Sequence, residues 1–248
     1  MSIKFTVFLA VLFFSIYTAN AQNLKSLIKQ SAIQTNSIIN QISQSSQLSN
    51  SDIVNGLKEA LTLGAQKSAS KLSAVDGFFK DAALKILLPP EAQKISDMVS
   101  KIPGGNKLVD DAILSMNRAA EDATKSAAPI FIDAIKNISI NDAIGILKGN
   151  DTAATHYLKS NTINPLTIAF KPTIEQSLAK VNATQYWNSL MSAYNKFPFN
   201  KKINPDLSAY VTEKAISGVF TQLAVEEQKI RKDPAAQVTN TLKKVFGK

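Results

Sequence analysis

In the run LVDDAILSMNRAAEDAT, residues 108–124, one helical face decides how the chain folds. With 3.6 residues per turn and Met116 at the centre, Val109, Ala112, Ile113, Ala119, Ala120 and Ala123 fall within about 60° of it. Most of these side chains are small, so a neighbouring helix can approach closely, and Leu114 projects from the back as if a second partner sat there. Arg118 shares that back, three and four residues from Glu121 and Asp122. The stretch from Leu108 to Tyr157 is therefore read as the centre of an all-α, compact, bundle-like domain.

Downstream, Pro129-Ile130-Phe131-Ile132-Asp133-Ala134-Ile135 is apolar nearly all round, which predicts a buried helix and a partner or a raised pKa for Asp133. Ser139 and Asp142 form a capping pair, and Gly149 closes the helix they open. Asp151 or Thr152 caps the next, short helix, which carries Thr155, His156 and Tyr157. Asn164-Pro165 then opens a longer helical region that Pro172 should kink or restart. Thr184 caps a helix with Tyr186, Trp187, Leu190, Met191 and Tyr194. Asn204-Pro205-Asp206 starts the longest late helix, to about Lys232, with Gly218 allowing close contact and Glu227 and Arg231 paired at i,i+4. Asp233-Pro234 begins a final amphipathic helix.

Upstream, Ser49 caps a helix running to about Leu72. The period disappears between Ala74 and Pro90, where Asp76-Gly77 signals a turn and Phe78-Phe79 are adjacent aromatics. A small β-hairpin or an irregular flap near residues 76–90 satisfies this pattern. A short helix over 91–101 follows and ends at Pro103-Gly104-Gly105. The chain opens with Lys4, an apolar run from Phe5 to Tyr17 and Ala19-Asn20-Ala21, which is the layout of a secretory signal cut after Ala21. Residues 22–47, rich in Ser, Gln and Asn, read as a flexible arm, and 48–248 as one helical domain. The expected destination is the periplasm or the cell exterior, and no segment after the leader is apolar enough to span a bilayer.

The 248 residues contain no cysteine and one histidine, His156. That excludes disulfides, thiol nucleophiles and multi-histidine zinc sites, so no metal or cofactor is expected. The net charge is +9, from 28 basic against 19 acidic residues. Only Arg118 and Arg231 are arginines, and the lysines are spread without a dense cluster, which argues against nucleic acid as a partner.

The chemistry-bearing residues allow several readings. Arg118, Glu121 and Asp133 are expected to form a semi-buried polar network that fixes how the helices sit. His156, beside Thr155, Ser160 and Asp151, has the residue types of a general base and its partners, although no nucleophile elbow accompanies it. Tyr157, Trp187 and Tyr194 suit an apolar pocket with polar tips or, more simply, the core. Glu121-Asp122 and Glu226-Glu227 are adjacent carboxylates that point about 100° apart along a helix, so only a cross-helix pair could share a proton.

Several stretches taken together resemble the bacterial family named only domain of unknown function 4197. They are Asp52-Ile53 with Gly56-Leu57-Lys58-Glu59-Ala60-Leu61, Leu88-Pro89-Pro90-Glu91, Asn117-Arg118-Ala119-Ala120-Glu121-Asp122-Ala123, Ile146-Leu147-Lys148-Gly149 with Ala153-Ala154-Thr155, Tyr186-Trp187, and Glu226-Glu227 with Ile230-Arg231-Lys232-Asp233-Pro234. The resemblance covers about residues 48–247 and implies an exported, mainly helical protein without a known activity. Gln237 and His156 depart from what similar sequences often carry at those places.

The function expected is that of an exported, non-enzymatic binding or interaction protein. Its ligand is apolar or anionic, either a small molecule or an envelope component, and the binding residues are drawn from Arg118, Glu121, Asp133, His156, Tyr157, Trp187, Tyr194, Glu227 and Arg231. The alternatives are a hydrolase using cross-helix carboxylates, Glu121 and Glu227, with or without His156, and salt-sensitive association with an anionic envelope surface.

Overall fold

Leucines and small residues recurring every three to four positions build helix α1 (Asn50–Ser73), whose buried face runs through Leu57, Leu61, Ala65, Ala69 and Leu72. The computed structural model describes residues 49–89, 92, 96–97, 100–101, 103–180, 182–184, 187–188, 206–237, 239, 243 and 245–246. The readings of a leader over 1–21, an arm over 22–47, most of a helix over 91–101 and most of the Thr184 and final helices lie outside them. The remaining helices are α2 (Gly105–Thr124), α3 (Ala127–Lys136), α4 (Ile140–Lys148), α5 (Ala153–Ala179) and α6 (Leu207–Lys232), followed by a 3-10 turn at Pro234–Ala236. They belong to one compact unit that begins at Asn50. No described helix is long and apolar enough to cross a membrane.

The fold is all-α, with no strand among the described residues. The two adjoining helices α2 and α6 pack most extensively on α5, which also touches α3 and α4, while α1 lies against α3, α4 and α6. The alanine stripe of α2 is deeply buried in its second half, at Met116, Ala119, Ala120 and Ala123, and only half-buried at Val109, Ala112 and Ile113. Phe131 of α3 meets Phe220 of α6 edge to face at 5.7 Å, tying the two sides of the core.

The expected break before Asn164-Pro165 does not occur, because α5 runs unbroken through both prolines. Pro165 and Pro172 stand seven residues apart on the exposed side. The carbonyls they deprive of a donor, those of Asn161 and Ile168, belong to exposed residues and can be met by water. The buried positions Ala154, Leu158, Thr162, Leu166, Phe170, Ile174 and Leu178 recur every four residues. Each step turns the stripe by about 40° on a 3.6-residue helix, so it winds round α5 to meet different neighbours along its length. No fixed face carries the pattern along the whole of α5.

Helix α3 also corrects an expectation. Its buried residues are Ala127, Phe131 and Ile135, which form one face, while Asp133 on the other side is exposed and pairs with exposed Lys136 at 3.2 Å. Ile130 and Ile132 made the helix look apolar all round, yet they stay half-buried. The capping pair of α4 is as expected: Ser139 Oγ accepts from Asp142 N, and Asp142 accepts in return from Ser139 N. Asp206 caps α6 by accepting from Ala209 N at 2.9 Å.

Of the two forms allowed for residues 76–90, the described part, 76–89, takes the irregular flap: turns followed by a segment without regular secondary structure. Phe78 is fully buried against Gly218 of α6, where an added Cβ would lie 2.5 Å from the ring's Cε1. Gly77 passes so close to the α1 carbonyls of Lys71 and Leu72 that no side chain fits. Tyr210 of α6 donates its hydroxyl to the carbonyl of Leu87 at 2.8 Å.

Candidate functional site

Each arginine of the chain sits beside one buried glutamate, and each glutamate collects two consecutive backbone N–H groups from another part of the fold. Glu121, 4% exposed, accepts through Oε1 from Phe78 N at 3.1 Å and Phe79 N at 3.2 Å. Its Oε2 accepts from Arg118 Nη1 at 2.6 Å, and Arg118 Nη2 donates to Asp76 Oδ1 at 2.6 Å. Asp76 adopts a left-handed backbone, φ 71°, which the short acidic side chain tolerates, and this aims its carboxylate back at α2. The neighbouring Asn117, fully buried, accepts from Ile86 N at 2.9 Å and donates to Ile86 O at 2.8 Å. One turn of α2 thus supplies the partners that a second strand would otherwise give the flap.

The second pair closes a helix start. Glu227, 6% exposed on α6, accepts from Ala154 N at 3.0 Å and from both Thr155 N and Thr155 Oγ1 at 2.8 Å. Those are first-turn donors of α5, whose own N-cap residue, Thr152, makes no side-chain cap. Arg231 Nε donates to Glu227 Oε1 at 3.0 Å, and Arg231 Nη2 donates to the carbonyl of Ile146 near the end of α4 at 2.9 Å. A single side-chain pair therefore ties α4, α5 and α6 together. Beside it, Lys232 pairs with Asp151.

The chain belongs to the DUF4197 family. The model of that family, described as a protein of unknown function, matches residues 47–247. No curated protein and no solved structure matches the chain. All the described helices of the DUF4197 body, with both glutamate–arginine pairs, fall inside the matched span.

The expected network of Arg118, Glu121 and Asp133 is thus corrected at one corner. Asp76 takes the place of Asp133, which points outward from the exposed side of α3. The turn signal at Asp76-Gly77 was visible, but a left-handed residue folding back onto a helix distant in sequence leaves no spacing to read. Asn117, present in the resembling stretch, carried no expected role. Its signal was an amide of poor helix propensity on the flank of an alanine stripe. Thr155, expected beside His156, donates its hydroxyl to Glu227 instead.

His156 is exposed, and Ser160 donates its hydroxyl to the His156 carbonyl rather than to the ring. Tyr157 bonds the carboxylate of Asp142, and burial together with that charge raises the phenol above its ordinary range. Trp187 is buried, with no partner for its indole N–H among the described residues. Tyr194 lies outside the described residues. No group of three or more metal-ligating side chains is found among those described.

Chemically, both glutamates are occupied. Each oxygen accepts at least one N–H or O–H donor. Lys80 first, then Arg118, hold the carboxyl of Asp76 below the ordinary 3.8. A carboxylate whose pKa is depressed on folding contributes stability above its unfolded value and loses it as pH falls through the folded value. The Asp76→Asn protein should therefore unfold at lower urea than the parent at pH 7. The gap should close as pH drops below 3.8. A constant gap across that range would remove Asp76 from the clamp.

Proposed function

We propose that this is an exported, non-enzymatic helical binding or interaction protein whose ligand is apolar or anionic. The observation that carries the reading is the occupancy of Glu121 and Glu227, the carboxylates on which a hydrolase would depend. Both are filled by backbone N–H groups and guanidinium, leaving them to hold the flap and α5 in place. Export is supported by the leader-like layout of residues 1–21, with its apolar run and Ala19-Asn20-Ala21. Native mass spectrometry of the mature protein purified from its source tests the reading. A non-covalent mass adduct released on activation is the expected result. A bare protein that turns over an ester or glycoside, and loses that turnover in Glu227→Gln without unfolding, would replace it with the hydrolase.

The charge of +9, almost all from lysine, favours a second reading, retention on an anionic envelope surface. Binding to anionic vesicles that falls steeply between low and physiological salt is its signature.

A further inference from the structure

Asp76-Gly77 is the one aspartyl-glycine step in the 248 residues, and it sits at the bend where the flap leaves α1. Such a step is the aspartyl sequence most open to attack by its own backbone, because glycine puts no side chain in the way of its nitrogen as that atom closes on the carboxyl carbon. Three contacts hold the two atoms apart. The carboxylate is tied to Lys80 Nζ at 2.8 Å and to Arg118 Nη2 at 2.6 Å. Those cations, Lys80 first, keep it ionised, the form that gives up an oxygen least readily. The Gly77 N–H is donated to the carbonyl of Ala74 at 3.0 Å. Gly77 is also wedged against the carbonyls of Lys71 and Leu72, so its peptide has no room to turn towards the Asp76 side chain. Water is close at hand, since Asp76 is only half-buried and the preceding Val75 is exposed.

We infer that Asp76 is a site of spontaneous isoaspartate formation gated by the Arg118 clamp, so that release of the flap is written into the backbone. In the released flap, Gly77 N attacks Asp76 Cγ. The new C–N bond closes a five-membered imide, and one carboxyl oxygen leaves as water with the amide proton and the proton of the acid. A second water opens the ring at the Asp76 main-chain carbonyl, leaving the Gly77 nitrogen on Cγ. The mass is unchanged, but the chain now runs through the Asp76 methylene and is one carbon longer. A flap so lengthened no longer brings Phe78 N and Phe79 N together onto Glu121 Oε1, the contact that seats it. Asn55-Gly56, the one asparaginyl-glycine step, supplies an internal control: it lies inside α1, where the helix ladder holds the Gly56 nitrogen and the Arg118 clamp has no part.

The test is prolonged incubation of the purified chain at pH 7. Isoaspartate at 76 is read from the altered retention of the tryptic peptide 72–80 and from labelling by an isoaspartyl methyltransferase. The parent should accumulate it slowly, far behind the free peptide 72–80. Arg118→Met should speed it about tenfold, the effect on a local opening of losing a charge-assisted hydrogen bond. Lys80→Met, at an exposed position, should act in the same direction and keeps the test alive if Arg118→Met does not fold. Deamidation at Asn55 should not change in either. Leu178→Ala, which weakens the core away from the flap, should leave the rate at 76 close to that of the parent. Equal acceleration in Leu178→Ala and the clamp variants would overturn the inference, since the site would then answer to global unfolding. So would a parent that converts as fast as the free peptide, or clamp variants with no isoaspartate at 76 while the free peptide converts. In the isomerised chain the amides of Phe78 and Phe79 should exchange faster with solvent while those of α5 keep their protection. Unaltered protection at Phe78 and Phe79 would show that the flap reseats and that nothing is recorded.

Discussion

Glu227→Ala should cost about 3–5 kcal/mol of unfolding free energy, the scale for removing one partner of a buried ion pair. Three things are lost together. The N–H groups of Ala154 and Thr155 lose their acceptor, the Thr155 hydroxyl loses its own, and Arg231, whose side chain is only 12% exposed, keeps its charge without a counter-ion. The last of these separates the claim from a plain cavity effect. A double variant, Glu227→Met with Arg231→Met, removes both charges and should be more stable than Glu227→Ala alone, though less stable than the parent because the start of α5 is still uncapped. Urea unfolding at pH 7 measures all three. A cost under about 1 kcal/mol for Glu227→Ala would mean that the pair is exposed in solution and worth no more than a surface bridge.

Phe78→Ala should be of similar size, about 3–5 kcal/mol, because the ring is fully buried and its loss leaves a cavity. The cleaner signature is coupling with Gly218. Gly218→Ala in the parent places a methyl 2.5 Å from the Phe78 Cε1 and 3.2 Å from Cζ, an overpacking expected to cost about 1–3 kcal/mol. In the Phe78→Ala background the same methyl enters the vacated slot and should be neutral or stabilising. A Gly218→Ala cost that is identical in both backgrounds would show that the glycine serves helix α6 alone and does not seat the flap.

What the sequence made legible was local. The capping pair at Ser139 and Asp142 and the i,i+4 pair of Glu227 and Arg231 each lie within about one turn of helix, where spacing implies distance, and the alanine stripe of α2 follows from the same helical period. The pairing of Arg118 with Glu121 was legible for the same reason. What spacing could not reach was the third partner in each polar set. Asp76 arrives from 42 positions away through a left-handed turn, and Thr155 and Ala154 reach Glu227 across more than 70. Asp133 was misplaced because apolar residues on all sides of α3 were read as a buried helix, whereas Ile132 faces an open groove. The prolines of α5 misled because their cost depends on whether the abandoned carbonyl meets water, and that is set by which way the helix faces in the fold.

The winding stripe of α5 has a consequence for the fidelity of assembly. A ridge that repeats every four residues behaves like a screw thread: advance it one repeat, turn it slightly, and ridge meets groove again. Side-chain size opposes such a slip only in part, since Leu158, Leu166, Ile174 and Leu178 are near equals in bulk. Glu227 supplies the stop. It grips the first two free amides beyond Ala153, groups that exist at one place on the thread only, so a misthreaded α5 would leave a buried charge facing nothing.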